Sequence, residues 1–183
     1  MDIAQFGSVS EGVDSPLSFC YNISIGGDAM FVYKSGDILK SSAQNIVNPV
    51  NTHGRSGKGL ALHIKKAYPL VDREFSYVCQ SGEFEIGSIL RLPTPDNRYI
   101  LFFPTKEDWK HPSKYEYIHA GLETLRFICQ TLPENSSVAI PKLGCGLGGL
   151  DWLKVHGLIL QYLKDINHVV FYIYGPNVGG QEE

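Results

Sequence analysis

A lysine, an aspartate, two asparagines and two glycine-rich loops carry the chemistry this sequence of 183 residues could perform. The lysine is Lys106. It follows the apolar run Ile100-Leu-Phe-Phe103 and Pro104, and that run reads as a buried strand ending at the proline. In an α/β layout, ligands bind beyond the carboxyl ends of the strands. Lys106 would therefore stand at the rim of any site the fold builds. A lysine partly desolvated there can lose its proton near neutral pH and attack a carbonyl-like carbon. The other reading is a solvated loop lysine, and for an isolated lysine it is the better one. Lys106 is raised above that because other strand ends carry unusual polar residues too.

The glycine-rich loop Gly144-Cys-Gly-Leu-Gly-Gly149 lies between a short apolar strand, Val138-Ala-Ile140, and a helix. Backbone amides there, with the helix N-terminus, can hold phosphate. A tight turn needs fewer glycines, so phosphate binding by Gly144, Cys145, Gly146, Leu147 and Gly148 is the favoured reading. Gly144, Gly146 and Gly149 match G-x-G-x-x-G, but a dinucleotide fingerprint wants an acid about 20 residues on. The corresponding strand, Val169 to Tyr174, has none. Gly54-Arg-Ser-Gly-Lys-Gly59 invites comparison with a P-loop, yet Thr52 and Gly59 stand where that motif needs glycine and Ser or Thr. Gly57, Lys58 and Gly59 still open a helix and could lie over a second part of a diphosphate.

Asn48 and Asn51 come at the end of a short strand, Asn45-Ile-Val-Asn-Pro-Val-Asn51. An amide both donates and accepts, which suits ribose hydroxyls; capping a turn is the equal alternative. Asp37, after Gly36, could accept from an exocyclic amine such as adenine's, or simply shape its turn. His53 is a candidate acid/base, as is Asp151. Cys145 lacks the arginine six residues on that a cysteine phosphatase needs, since that position is Asp151. The histidines show no ligand spacing, so neither a metal nor any other cofactor is expected.

The elements that must position these groups follow from periodicity. Strands are expected at 21–25, 30–33, 45–51, 86–92, 99–103, 138–140 and 169–174. Helices are expected from Gly59 to about Tyr68, with Pro69 as stop, and from about Asp72 to Gln80, with Gly82 as terminator. A long helix capped by Ser113 runs to about Thr131, and another covers Asp151 to Asp165. Alternation of strands and helices through the second half predicts an α/β layered fold on a mostly parallel sheet. Residues 1–18 read as an irregular arm and Asn177–Glu183 as a polar tail, around a core of about 20–176 in one domain.

Composition narrows the class. Hydrophobic residues at 43% and charged residues at 19% describe an ordinary globular chain, and a formal charge of −3 gives no global signal for nucleic acid. The four cysteines have no C-x-x-C spacing, the start lacks a signal-peptide pattern, and no apolar run approaches 18 residues. A cytoplasmic protein with no membrane partner is expected, nuclear if the source is a eukaryote.

Taken together, Gly36-Asp37-Ile38, Asn45–Asn51 and Gly144–Gly149 resemble three ordered motifs of the macrodomain family, over roughly residues 30–175. The resemblance implies a three-layer α/β/α sandwich around a mixed six-stranded sheet. It implies ADP-ribose as ligand, with Asp37 and Ile38 at adenine, Asn51 at ribose and the glycine loop at diphosphate. Tyr174, by its place at the end of the last strand, is a candidate to stack on the adenine. Phe103-Pro-Thr-Lys106 and Leu143 to Trp152 look most like one branch. That branch holds the terminal ADP-ribose protein glycohydrolase and the antitoxin macrodomains that remove ADP-ribose from DNA bases. Both have a catalytic lysine where this chain has Lys106. The protein glycohydrolase also has a loop aspartate, at a position that is Gly148 here. A monomeric hydrolase of ADP-ribosylated DNA or protein is the leading expectation. Alternatives are a phosphatase on ADP-ribose 1″-phosphate using His53, and a non-catalytic ADP-ribose reader.

Overall fold

Strands that are apolar on both faces need cover on both faces, and the chain supplies it with two pairs of helices. The computed structural model describes residues 22–23 and 29–176. The expected arm over residues 1–18 and the tail from Asn177 lie outside that range. The described strands are β1 (Asn22–Ile23), β2 (Met30–Lys34), β3 (Asn45–Asn51), β4 (Leu90–Pro93), β5 (Tyr99–Lys106), β6 (Ser136–Pro141) and β7 (Val169–Tyr174). The helices among the described residues are α1 (Gly59–Ala67), α2 (Pro69–Ser81), α3 (Tyr115–Thr131) and α4 (Trp152–Leu163), with a 3₁₀ turn at Ile38–Lys40.

The sheet order is β1-β2-β7-β6-β3-β5-β4. From β2 to β5 the neighbours are parallel; β4 is antiparallel to β5, and the two-residue β1 antiparallel to β2. Strands β2 to β7 are thus the expected mixed, mostly parallel six-stranded sheet, extended by a short edge at β1. On one face, Ile118, Leu122 and Leu125 of α3 and Val155 and Ile159 of α4 pack on Val47, Leu101, Phe103, Phe171 and Ile173. On the other, Ile64 of α1 and Phe75 of α2 pack on Ile46, Ile100, Phe102 and Ala139. Phe75 and Phe102 stack with centroids 4.2 Å apart and planes 9° from parallel, worth about 0.5–1.5 kcal/mol beyond their burial.

The boundaries that differ from expectation have local causes. Pro69 ends α1, as expected, but it is also the first residue of α2, where a missing N–H costs nothing. That helix therefore begins three residues before Asp72. Ile86 to Ile89 is not strand, because Ser88 closes a turn back onto Glu85 with N–H···O at 3.1 Å and Oγ–H···O at 2.6 Å. Ser113 does not cap α3: the cap is Lys114, without a side-chain bond, and the Ser113 amide instead donates to the Gly148 carbonyl at 3.0 Å.

The difference that matters for function is in β5, which runs through Pro104 to Lys106. Proline lacks the N–H a central strand needs, so it is tolerated there only beside an irregularity. The β3–β5 ladder pairs Val50 with Pro104 and then slips, so that Asn51 pairs with Lys106. Thr105 is buried at the slip, its hydroxyl 3.4 Å from the Val50 carbonyl. Lys106 is thus the last residue of a strand, not the first of a loop, and the bulge sets it beside Asn51.

Candidate functional site

Five parallel strands share one carboxyl edge, and every expected ligand-binding segment lies along it or in the loop next to it. Asp37 follows β2, Tyr174 ends β7, the loop 144–149 follows β6, Asn51 ends β3 and Lys106 ends β5. Because the spatial order is β2-β7-β6-β3-β5, these groups form a row. Four strand spacings make it about 19 Å long. Such a row suits an elongated ligand, with an acidic acceptor at one end, amides in the middle and an amine at the other.

At the first end, Asp37 is exposed and caps the 3₁₀ turn, its Oδ1 accepting from the Leu39 amide at 3.0 Å, while Ile38 is buried beneath it. Tyr174 is half-buried and pairs in register with Lys34, three residues before Asp37. In the middle, the loop Gly144–Gly149 is held by its own backbone. Leu150 N–H donates to the Gly144 carbonyl at 3.0 Å and Gly149 N–H to Gly146 at 3.1 Å. Gly148 is pressed into the fold, and a Cβ there would overlap both the Gly144 carbonyl and the Ser113 hydroxyl. The position filled by aspartate in the protein glycohydrolases has no room here for any side chain. Cys145 is held as a thiol: its Sγ lies 3.3 Å from the Leu143 carbonyl, and burial pushes its pKa up to about 11.

The loop from Thr52 to Lys58 is built on Asn51. Its Oδ1 accepts from the His53 amide at 3.1 Å and the Arg55 amide at 3.2 Å, and its Nδ2 donates to the Arg55 carbonyl at 2.8 Å. The amide expected at a ribose is thus engaged in shaping the loop. Thr52 ties that loop to β5 through two amide contacts, 3.1 Å to the Lys106 carbonyl and 3.2 Å to that of Glu107. Gly54, at φ +71°, packs so closely on Ser76 and Cys79 that a Cβ would crowd both. Gly57 and Lys58 are exposed ahead of α1 and Gly59 is exposed as its first residue; the cap, Lys58, makes no side-chain bond.

At the far end, Lys106 Nζ donates to the Leu147 carbonyl at 2.7 Å. This bond joins the end of β5 to the crown of the glycine loop. Burial holds the lysine's pKa below that of a solvated amine, since desolvation disfavours the charged form.

Three further expected site residues remain to be placed. Asn48 is fully buried, three residues short of the end of β3, so it lies beneath the edge and not on it; neither of its amide atoms has a protein partner. Asp151 caps α4, its Oδ1 accepting from the Lys154 amide at 3.0 Å. His53 is exposed and lies close enough to Asp108 for its charge to act on that carboxylate. Among the described residues no cluster of metal-ligating side chains occurs, and no helix is long and apolar enough to cross a membrane.

Sequence reasoning missed two features of the site. One is Ser113 as the wall behind Gly148; no spacing rule links a residue before α3 with a glycine 35 positions on. The other is Arg55, whose guanidinium lies 5.8 Å from the Trp109 ring centroid across the two loops.

Comparison with known proteins gives the same outline. The model of the Macro domain family matches residues 47–159. The DNA ADP-ribosyl glycohydrolase of Thermus aquaticus is 39% identical over 150 residues, covering 80% of this chain and 41% of that protein. The solved macrodomain of Mycobacterium tuberculosis DarG superposes with a TM-score of 0.77 at 38% identity, covering 81% of this chain and 99% of that one. Thermosipho africanus DarTG, solved in complex with ADP-ribose, matches with a TM-score of 0.68 at 32% identity over 84% of this chain and 43% of that one. The chain spans less than half the length of the DNA ADP-ribosyl glycohydrolases of Thermus aquaticus and Mycobacterium bovis that it matches.

Proposed function

The chain belongs to the macrodomain family, and from that premise we propose that it is an ADP-ribosyl hydrolase whose working amine is Lys106. The ligand lies along the carboxyl edge, with adenine toward Asp37 and Tyr174, diphosphate over the amides of 144–149 and of the α1 start, and the distal ribose at Lys106. The substrate is a macromolecule carrying ADP-ribose on a DNA base or a protein side chain; DNA is the one that the name of the Thermus aquaticus relative carries.

The observation that carries this reading is the 2.7 Å bond from Lys106 Nζ to the Leu147 carbonyl, together with the lowered pKa of that amine. A lysine tethered to the diphosphate loop is positioned by the same element that positions the ligand, which is how a nucleophile is held near a reacting carbon. Cleavage of a glycosidic bond develops positive charge at the anomeric carbon. The neutral amine of Lys106 attacks that carbon as its bond to the leaving group breaks, and the leaving group takes up a proton. The glycosylamine so formed opens to an imine as the bond from the anomeric carbon to the ring oxygen breaks and a proton passes from the lysine nitrogen to that oxygen. Water then hydrolyses the imine, releasing ADP-ribose as its aldehyde, which recloses, and restoring the lysine amine.

The competing phosphatase reading would need His53 at the distal ribose, and acid/base hydrolysis without the lysine would need His53 or Asp151 there. The cap role of Asp151 and the exposure of His53 favour the lysine. The test is incubation with ADP-ribosylated DNA, ADP-ribosylated protein and ADP-ribose 1″-phosphate side by side. Release of ADP-ribose from a macromolecule is expected. Turnover of the 1″-phosphate alone would support the phosphatase, and binding without turnover of any of them would support the reader.

A further inference from the structure

Trp109 sits at the apex of a tight turn immediately beyond β5. Asp108 Oδ1 accepts from the Lys110 amide at 2.9 Å, and the His111 amide donates to the Asp108 carbonyl at 3.2 Å, so the indole is presented outward. It is 46% exposed, a poor use of the largest side chain if packing were its purpose. Arg55 reaches it from the other loop at 5.8 Å and Lys110 stands 5.4 Å from the ring centroid, both near the outer limit of a cation–π contact. Next along the chain, Lys114 Nζ stands 5.1 Å over the Tyr117 ring. That pair lines a depression of about 190 Å³ with Glu107, His111 and Pro112.

Two aromatics interleaved with three cations form a stacking trail with an electrostatic rail. Residues 52–59 and 106–114 hold five Lys or Arg against two acids, in a chain whose formal charge is −3. One of those acids, Asp108, serves the turn itself. This combination fits a flexible polyanion with flat faces: a single-stranded nucleic acid, whose unpaired bases stack on aromatics while its phosphates meet the cations. A duplex hides the faces of its bases and a protein substrate has no repeating phosphates, so neither uses both features.

We propose that Trp109, backed by Arg55 and Lys110, is the platform on which a single-stranded nucleic acid stacks beside the site, setting the modified base against Lys106. The inference rests on the hydrolase reading for its substrate, but strand binding is measurable without turnover. Trp109 acts here as a positioning residue for the leaving group, not as a catalytic one.

The test uses the full chain and a short, fluorescently labelled, unmodified single-stranded DNA oligonucleotide, followed by anisotropy at several salt concentrations. Wild type is expected to bind it more tightly than the matching duplex, with affinity falling as salt rises. Trp109→Ala should weaken strand binding roughly 5- to 150-fold, and Trp109→Phe should retain most of it. ADP-ribose affinity should stay within two-fold of wild type in Trp109→Ala, and KM for an ADP-ribosylated oligonucleotide should rise with kcat little changed. Equal strand affinity in wild type and Trp109→Ala, or no strand binding by wild type, would overturn the platform. Strand binding that depends on Trp109 without any release of ADP-ribose would instead leave the platform standing and remove the hydrolase reading.

Discussion

Placing a methyl group on Gly148 tests the geometry of the glycine loop, because the position is enclosed from two sides. A Cβ there overlaps the Gly144 carbonyl within the loop and the Ser113 hydroxyl outside it. Ser113 is itself anchored by its amide to the Gly148 carbonyl at 3.0 Å, so the wall cannot swing away without breaking that bond. Overpacking a close contact of this kind costs about 1–3 kcal/mol. For a chain of this size that corresponds to a fall in Tm of roughly 2–12 °C. Because the displaced loop carries the amides proposed to hold diphosphate and the carbonyl that holds Lys106, Gly148→Ala should lose ADP-ribose affinity as well. Ser113→Ala alone should be close to neutral, since its buried hydroxyl has no hydrogen-bond partner. The double variant relieves one of the two overlaps and should recover at least about 0.5 kcal/mol relative to additivity. Thermal unfolding followed by circular dichroism, with calorimetric titration of ADP-ribose, measures all of this. A Gly148→Ala protein with wild-type Tm and affinity would refute the close packing, and zero coupling with Ser113→Ala would refute the wall. The same geometry predicts that Gly148→Asp cannot install the aspartate chemistry of the protein glycohydrolases.

Three further outcomes are expected. Asp37→Ala should weaken ADP-ribose binding by about 1–3 kcal/mol by removing a charged partner, read by calorimetry; unchanged affinity would place the adenine elsewhere. His156 donates to or accepts from the Tyr33 hydroxyl at 2.8 Å, and burial lowers its pKa, so the unfolded state takes up its proton first. The stability that the neutral imidazole contributes is present above the unfolded value of ~6.5 and lost as pH falls through the window below it; Tm against pH should show this loss in wild type and not in a Tyr33→Phe/His156→Leu double variant. Finally, hydrolysis should rise with pH with an inflection below the range of a solvated lysine, because burial lowers the pKa of Lys106, while Cys145→Ala should leave the profile unchanged.

The order of elements was legible because the central strands are buried on both sides and so read as apolar runs. β3 and β7 have the boundaries expected, Asn45–Asn51 and Val169–Tyr174. Placement of the site segments on one edge followed from the alternation of strands and helices, since parallel strands bring their carboxyl ends together. What was not legible depended on contacts between distant segments. Pro104 reads as a strand terminator, and only the slip against Val50 lets β5 continue to Lys106. Ser113 has the residue type of a cap, yet its amide is drawn to Gly148 and the helix starts later. Asn48 and Asn51 look alike in sequence and both are buried, but the first lies inside β3 while the second ends it at the bulge, beside Lys106. Asp151 offered the opposite lesson, since capping, its ordinary role, is the one it has.

The most direct measurement is turnover and ligand affinity, side by side, for Lys106→Ala and Lys106→Arg. If the Lys106 amine attacks the distal ribose, both variants should lose release of ADP-ribose from the modified macromolecule. Arginine fails with alanine because a guanidinium stays protonated at any working pH. ADP-ribose affinity should stay within a few-fold of wild type, because Lys106 bonds to the loop carbonyl and the diphosphate amides remain in place. Full hydrolysis by Lys106→Ala would contradict the lysine mechanism outright. Loss of binding in both variants would make Lys106 an anchor for the ligand and the protein a reader.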